Sequence, residues 1–268
     1  MTMPKNLLLV RHGESEGNVA NARSRQGDDS DFQREFLDRH SSGFRLTDKG
    51  QEQARIAGDW IKENIGTDFF RYYASEYTRA IETAYLLNLP DENWFVDFYL
   101  RERDWGKLDV MTDHQRKLLY AQELHQREID RFYWSPPEGE SMANLCRRLD
   151  RILGTLHREC SGKNVIIVCH GEVMWALRVR LERMLQGRYK ELDESRHPFD
   201  RMHNCQILHY TRINQDTGEM GPYMDWMRSI CPWDTRLSRN TWEKVERKTF
   251  SNEELRLLVE QHPRLIAK

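Results

Sequence analysis

Two histidines in this 268-residue chain arrive by the same device. Residues 6–13 read Asn-Leu-Leu-Leu-Val-Arg-His-Gly, and residues 164–171 read Asn-Val-Ile-Ile-Val-Cys-His-Gly. Near neutral pH an imidazole can serve as nucleophile, proton carrier or metal ligand. Arg11, Glu14, Ser15 and Asn18 surround the first of them. Arginine is a fixed cation whose planar fork fits phosphate oxygens. Asparagine donates to an oxyanion, and glycine frees backbone N–H groups to do the same. A single histidine after a strand is ordinarily a hydrogen-bonded structural residue. The intact Arg-His-Gly-Glu-Ser-x-x-Asn at 11–18 instead describes a nest for a tetrahedral dianion.

Something must bring the two histidines together. A short apolar run closed by a turn residue reads as a buried strand. Glycine then lets the backbone turn sharply. In open α/β sheets ligands bind beyond the carboxyl ends of the strands, where both histidines would lie. Further strands are expected at 69–74, 94–98 and 204–210. Helices are expected from Thr47 (an N-cap residue) through Ile65, at 76–88, 113–132, from Ser141, at 172–185 and at 252–261. Strands alternating with helices give an α/β fold, a three-layer sandwich whose mostly parallel central sheet is flanked by helices. Residues 1–215 form the main domain. Polar residues 20–45 read as a loop insertion with room for one short helix, and charged residues 107–140 as a cap-like one. Residues 216–268, with Trp226, Trp233 and Trp242, form a C-terminal extension packed on the core or on the partner subunit of a homodimer.

Bulk composition narrows the function. Charged residues make up 31% of the chain, yet the formal net charge is only −2, so neither nucleic acid nor an anionic membrane is an expected partner. Mean hydropathy is −0.83, and no run approaches the length of a membrane span. The five cysteines show no Cys-x-x-Cys spacing, which suits reduced thiols rather than disulfides or zinc. Strand-like sequence begins directly after Met-Thr-Met-Pro-Lys-Asn, without the apolar stretch of a signal peptide, and a cytoplasmic location is expected.

The motifs taken in order resemble the histidine phosphatase superfamily, the group that includes the cofactor-dependent phosphoglycerate mutases. The resemblance runs through 9–18, Leu46–Ala54, Ala74–Ala84, Leu100–Gly106, Pro137–Ser141 and the strand into His170-Gly171. It covers about residue 5 to about residue 210. It implies that His12 takes the phosphoryl group as phosphohistidine. Arg11, Arg79 and His170 would clamp the phosphoryl oxygens, with Asn18 and Gly171 adding donors. Glu102 would be the general acid, its pKa raised by burial and by phosphate charge. Ser24 falls roughly where relatives contact substrate. No metal and no cofactor are implied.

The residues alone leave rivals. Arg79 also reads as a solvated helix residue, Glu102 as an ion-pair partner of Arg101 or Arg103, and Asp104 as an alternative acid. Arg147, Arg148 and Arg151 read as the wet face of a helix. Arg23, Arg25, Arg34, Arg116, Lys117 and Arg127 are either ordinary surface charges or receptors for a second anionic group. The continuation Lys107–Met111 departs from the mutase pattern. A mutase must retain its bisphosphorylated intermediate, whereas a phosphatase needs only water. The expected function is therefore metal-independent hydrolysis of a phosphomonoester, on a small phosphorylated metabolite or a phosphoprotein. A phosphoglycerate mutase and a non-catalytic phosphate-binding module are the alternatives.

Overall fold

Alternation along the two His-Gly strands decides the architecture. In the computed structural model, which describes residues 1–90 and 92–266, strand β1 is Asn6–Arg11. Leu7 and Leu9 enter one apolar cluster, while Leu8 and Val10 enter another on the opposite face. Helices must therefore cover both sides of the sheet. Residue 91 and the last two residues of the 216–268 extension lie outside the described residues.

After β1 come α1 (Glu16–Ser24), α2 (Arg34–Leu37), α3 (Asp48–Asn64), β2 (Arg71–Ser75), α4 (Thr78–Leu86) and β3 (Trp94–Asp97). Then follow α5 (Asp113–Leu119), α6 (Ala121–Ile129), α7 (Met142–Glu159), β4 (Asn164–Cys169), α8 (Gly171–Glu182) and α9 (Gln186–Glu194). The chain closes with β5 (Ile207–Thr211), β6 (Trp226–Ile230), β7 (Arg239–Lys244) and α10 (Asn252–Glu260). The seven strands form one sheet in the order β3-β2-β4-β1-β5-β6-β7. The first four in that order pair in parallel, and β5, β6 and β7 join by antiparallel pairing. The α/β sandwich is as expected, with the sheet mixed rather than parallel to its far edge.

Helices α7 and α8 supply most of one layer, through Leu145, Leu149, Ile152, Leu156, Val173 and Leu177. Helices α3 and α4 supply the other, through Ala54, Ala57, Ile61, Ala80 and Ala84. Ser141 and Thr47 cap α7 and α3, each accepting a backbone N–H three residues on. The small residues of α3 permit a close approach to backbone. A Cβ on Gly58 would lie 2.1 Å from the Leu87 carbonyl oxygen at the end of α4.

Three elements differ from the sequence reading. Helix α1 occupies the start of the segment read as a loop. It buries only Gly17, Ala20 and Ser24, so its packing face carries no apolar stripe, and a Ser15–Asn18 capping box starts it. The single helix expected at 113–132 breaks at Tyr120 into α5 and α6. Residues past 215 supply β6 and β7. Five of the six residues of β7 are polar, as suits an edge strand with one wet face.

Gly58→Ala tests the close approach between α3 and α4. Alanine gains about 1 kcal/mol of helix propensity, but the clash with rigid backbone outweighs it. The variant should be destabilised by about 1–3 kcal/mol in a urea denaturation series, and equal or higher stability would refute the contact.

Candidate active site

Strands β1 and β4 are parallel neighbours with Arg11 opposite Cys169. The next residue on each strand is His12 and His170, so the register sets the two rings side by side. Their centroids are 5.2 Å apart at 62°. Gly13 follows because nothing larger fits: a Cβ there would sit 2.3 Å from the Gly50 carbonyl oxygen. Nδ1 of His12 lies 2.7 Å from the Gly13 carbonyl oxygen. A carbonyl only accepts, so Nδ1 carries the proton and Nε2 presents its lone pair. Burial, then the Arg79 and Arg11 charges, push the His12 pKa well below the usual histidine range. The ring is neutral and nucleophilic.

Around that lone pair the structure gathers cationic and neutral donors. Arg79, at the start of α4, is buried and donates from Nε to His12 Nε2 at 3.2 Å. Its other donor bond goes to the Ser41 carbonyl oxygen, and its guanidinium packs over the Tyr77 ring. Arg11 donates to the Met202 carbonyl oxygen, while its Nε is buried without a partner. His170 contacts the Ser75 hydroxyl through Nε2 at 2.7 Å, and its Nδ1 is likewise buried and unpartnered. Gly171 opens α8, adding the positive end of a twelve-residue helix. Asn18 lines the cavity above, its amide oxygen held by Asn204 and by the Ser15 N–H. Two unpartnered buried nitrogens, Arg11 Nε and His170 Nδ1, beside the Arg79 guanidinium describe a space built for an anion.

Glu102 completes the set from a loop after β3. Its Oε2 is 4.0 Å from His170 Nδ1, and its Oε1 accepts the Arg103 N–H at 2.9 Å. Burial, then the neighbouring Glu172 charge, raise its pKa to about 7, against the pull of Arg79. Asp104, the rival acid, is exposed and accepts the Gly106 N–H at 2.8 Å. It belongs to a turn. Arg148 corrects the reading of α7 as wet along all three arginines. Its side chain is only 8% exposed. It donates to the carbonyl oxygens of Tyr99, Arg101 and Glu102 and pairs with both oxygens of Glu140. The loop that carries Glu102 is thus nailed to α7 by one guanidinium, and no local pattern marks that role.

The ligand atoms of His12, Glu102 and His170 all lie within 4.8 Å of one another, a grouping that could hold a metal ion. Residues 12, 102 and 170 are too far apart for any ligand spacing to reveal it. The donor set argues against that use. Arg79 already points an N–H at His12 Nε2, and both guanidiniums would repel a cation where they attract an anion.

The site opens into a cavity of about 480 Å³ whose lining includes Arg11, Asn18, Arg25, Glu102, Arg116 and Gly171. Of the six cations read as second-anion candidates, Arg25 and Arg116 reach this wall. Arg23, Arg34 and Lys117 pair with Asp31, Asp38 and Asp113, and Arg127 stacks on Trp105. Ser24 is not brought to the site. Its hydroxyl donates to Asp29 and accepts the Asp113 N–H, tying α1 to α5.

Comparison with known proteins gives the family and the fold. The chain is 31% identical over 174 residues to 6-phosphofructo-2-kinase/fructose-2,6-bisphosphatase 1 of Rattus norvegicus, covering 65% of this chain and 32% of that protein. It therefore spans about one third of the length of the curated relatives it matches. Its fold is similar to that of the alpha-ribazole phosphatase from Shigella flexneri, with a TM-score of 0.60, 22% identity, and coverage of 82% of this chain and 96% of that one. It is also similar to a mycobacterial glucosyl-3-phosphoglycerate phosphatase, with a TM-score of 0.60, 21% identity, and coverage of 77% and 92%. Residues 7–198, which hold every residue from His12 to His170 described above, match the histidine phosphatase superfamily (branch 1), and the chain belongs to that superfamily.

Proposed function

We propose that the protein is a phosphomonoesterase that works through phosphorylated His12 and needs no metal. The observation that carries this reading is the neutral His12, its Nε2 lone pair held against Arg79 in a pocket of unneutralised donors. In the first step Nε2 attacks phosphorus and the ester P–O bond breaks. Its electron pair goes to the leaving oxygen, which takes the Glu102 proton. Arg11, Arg79 and His170 hold the three phosphoryl oxygens, where charge is spread in the transition state. In the second step water attacks the phosphohistidine, Glu102 takes the water proton, and the P–N pair returns to Nε2. A carboxyl group with a pKa of about 7 can play both parts near neutrality.

This reading generates four expectations. In His12→Ala, rapid-quench labelling with an aryl phosphate should find no acid-labile phosphoenzyme; a label that survived would remove His12 as nucleophile. The kcat/KM profile should hold on the acid side and fall as pH rises through about 7, because the protonated acid exists only below that value. Glu102→Gln should abolish that limb and slow phosphorylation about 10²- to 10⁴-fold for poor leaving groups, less for activated aryl esters. Equal slowing for both would move the acid elsewhere. EDTA should leave the rate unchanged, and a chelator-dependent loss restored by metal would overturn the metal-free mechanism.

Arg148→Met separates positioning from chemistry. The Glu102 loop should loosen, so kcat on unactivated alkyl phosphates should fall about tenfold or more. KM and the rate on activated aryl phosphates should move far less. A uniform loss on both ester classes would assign Arg148 a purely structural role.

A further inference from the structure

The residues that match the superfamily end at 198, yet a turn beyond them touches three residues of the site. At one end of this turn the Met202 carbonyl oxygen accepts from the Arg11 side chain. At the other, the Gln206 carbonyl oxygen accepts the Arg11 backbone N–H at 3.0 Å. Between them, the Cys205 N–H and the Asn204 side-chain Nδ2 both donate to the His12 carbonyl oxygen, at 3.3 and 3.1 Å. Nδ2 of Asn204 also donates to Asn18 Oδ1 at 3.1 Å.

These bonds set a direction. The His12 carbonyl oxygen can only accept, so Asn204 must turn its NH2 group toward it. That group has a second N–H to place, and Asn18 must offer it an oxygen. The Ser15 N–H, 3.2 Å from the same Asn18 oxygen, makes the same demand. Turning the Asn18 amide over would set its NH2 group against two donors. Its Nδ2 therefore takes the other side, where it makes no protein hydrogen bond among the described residues. Asn18 lines the cavity together with Arg11 and Gly171. Through Asn204, the His12 peptide thus decides which end of Asn18 meets a bound anion.

The turn does not hold this shape unaided. Cys205 sits at a φ of 50°, in the left-handed region that a non-glycine residue adopts only at a cost. Two side chains of the C-terminal extension hold it there. The Trp233 indole N–H donates to the Asn204 carbonyl oxygen at 2.6 Å, and the Ser229 hydroxyl accepts from the Gln206 side chain at 2.6 Å. Trp233 is itself fixed. It packs on the apolar cluster beneath α3 and α4, and over its ring lies Lys49, which pairs with Glu14, two residues past His12. We propose that Asn204 and Trp233 are positioning residues for phosphoryl transfer: through them the extension aims the Asn18 amide N–H at the phosphoryl group. The proposal rests on the phosphatase reading, and it makes the extension a working part of the site rather than an appendage.

The test is a set of double-mutant cycles on the full chain with an aryl phosphate. Asn204→Ala removes the amide, and Trp233→Phe keeps a ring but loses the N–H. Each should lower kcat, by about tenfold for Asn204→Ala and about threefold or more for Trp233→Phe, with KM moving far less. Inhibition by orthovanadate, which takes the five-coordinate shape of phosphoryl transfer, should weaken by the same factors. The deciding comparison is made in Asn18→Ala. If Asn204 and Trp233 act through Asn18, neither substitution should change kcat by more than about twofold once Asn18 is alanine. The His12 carbonyl oxygen keeps the Cys205 N–H in every variant, so the loss is read at Asn18. Losses that multiply in full in the double variants assign both residues a purely structural role and overturn the proposal, as does an unchanged kcat in the single variants. Should Asn204→Ala fail to fold, Trp233→Phe carries the cycle alone. If the wild-type protein hydrolyses no ester and forms no phosphohistidine, the phosphatase reading fails instead. Calorimetry with inorganic phosphate then runs the same cycle. Affinity lost in the single variants and not lost further in the doubles supports the positioning, and affinity that is unchanged or lost multiplicatively overturns it.

Discussion

Positive charge without a counterion organises this molecule. Arg79 is buried and Arg11 half-buried, with its Nε enclosed, beside two neutral histidines, and desolvation lowers the pKa of both guanidiniums. Such a group is stable only if the surrounding fold leaves it nowhere else to go. The sheet meets that demand. Arg11 ends β1, locked between β4 and β5. Arg79 is fixed by the Ser41 carbonyl oxygen and the Tyr77 ring. Burial first, and then the same charges, hold His12 neutral, so in the proposed mechanism the clamp for the phosphoryl oxygens also prepares the nucleophile.

Glu102 answers the opposite problem. A carboxyl group next to two arginines would ordinarily be a strong acid. Burial and the Glu172 charge outweigh that pull and bring it to about 7. Glu102 lies between two single-turn 3-10 helices, Phe98–Leu100 and Gly106–Leu108, and Arg148 substitutes for a backbone ladder with three carbonyl contacts. A rigid sheet thus carries His12, the proposed nucleophile, and a braced loop carries Glu102, the proposed proton donor.

Much of this was legible before any coordinates, for physical reasons. The β1 and β4 runs are continuous apolar stretches because both faces are buried, and the glycine after His12 is forced by close contact with the Gly50 backbone. Ser141 and Thr47 signal their helices because capping is local. What escaped was long-range or weakly patterned. Helix α1 packs with small residues, β7 is a polar edge, and Arg148 looks like any helix-surface arginine until its partners 46 to 49 residues away are seen. The convergence of His12, Glu102 and His170 has no linear signature at all.

The β1–β4 register has a consequence for the order of synthesis. Asn6 through Arg11 pair with Asn164 through Cys169, so His12 emerges from the ribosome long before the strand that sets it beside His170. Contacts this remote in sequence form late and slowly. Until they form, β1 is an apolar strand without its neighbours on either side, vulnerable to wrong pairing. A nascent or truncated chain ending before residue 170 would carry the whole signature motif and still be chemically silent. The proposed activity would therefore report completion of the sheet, not possession of the motif.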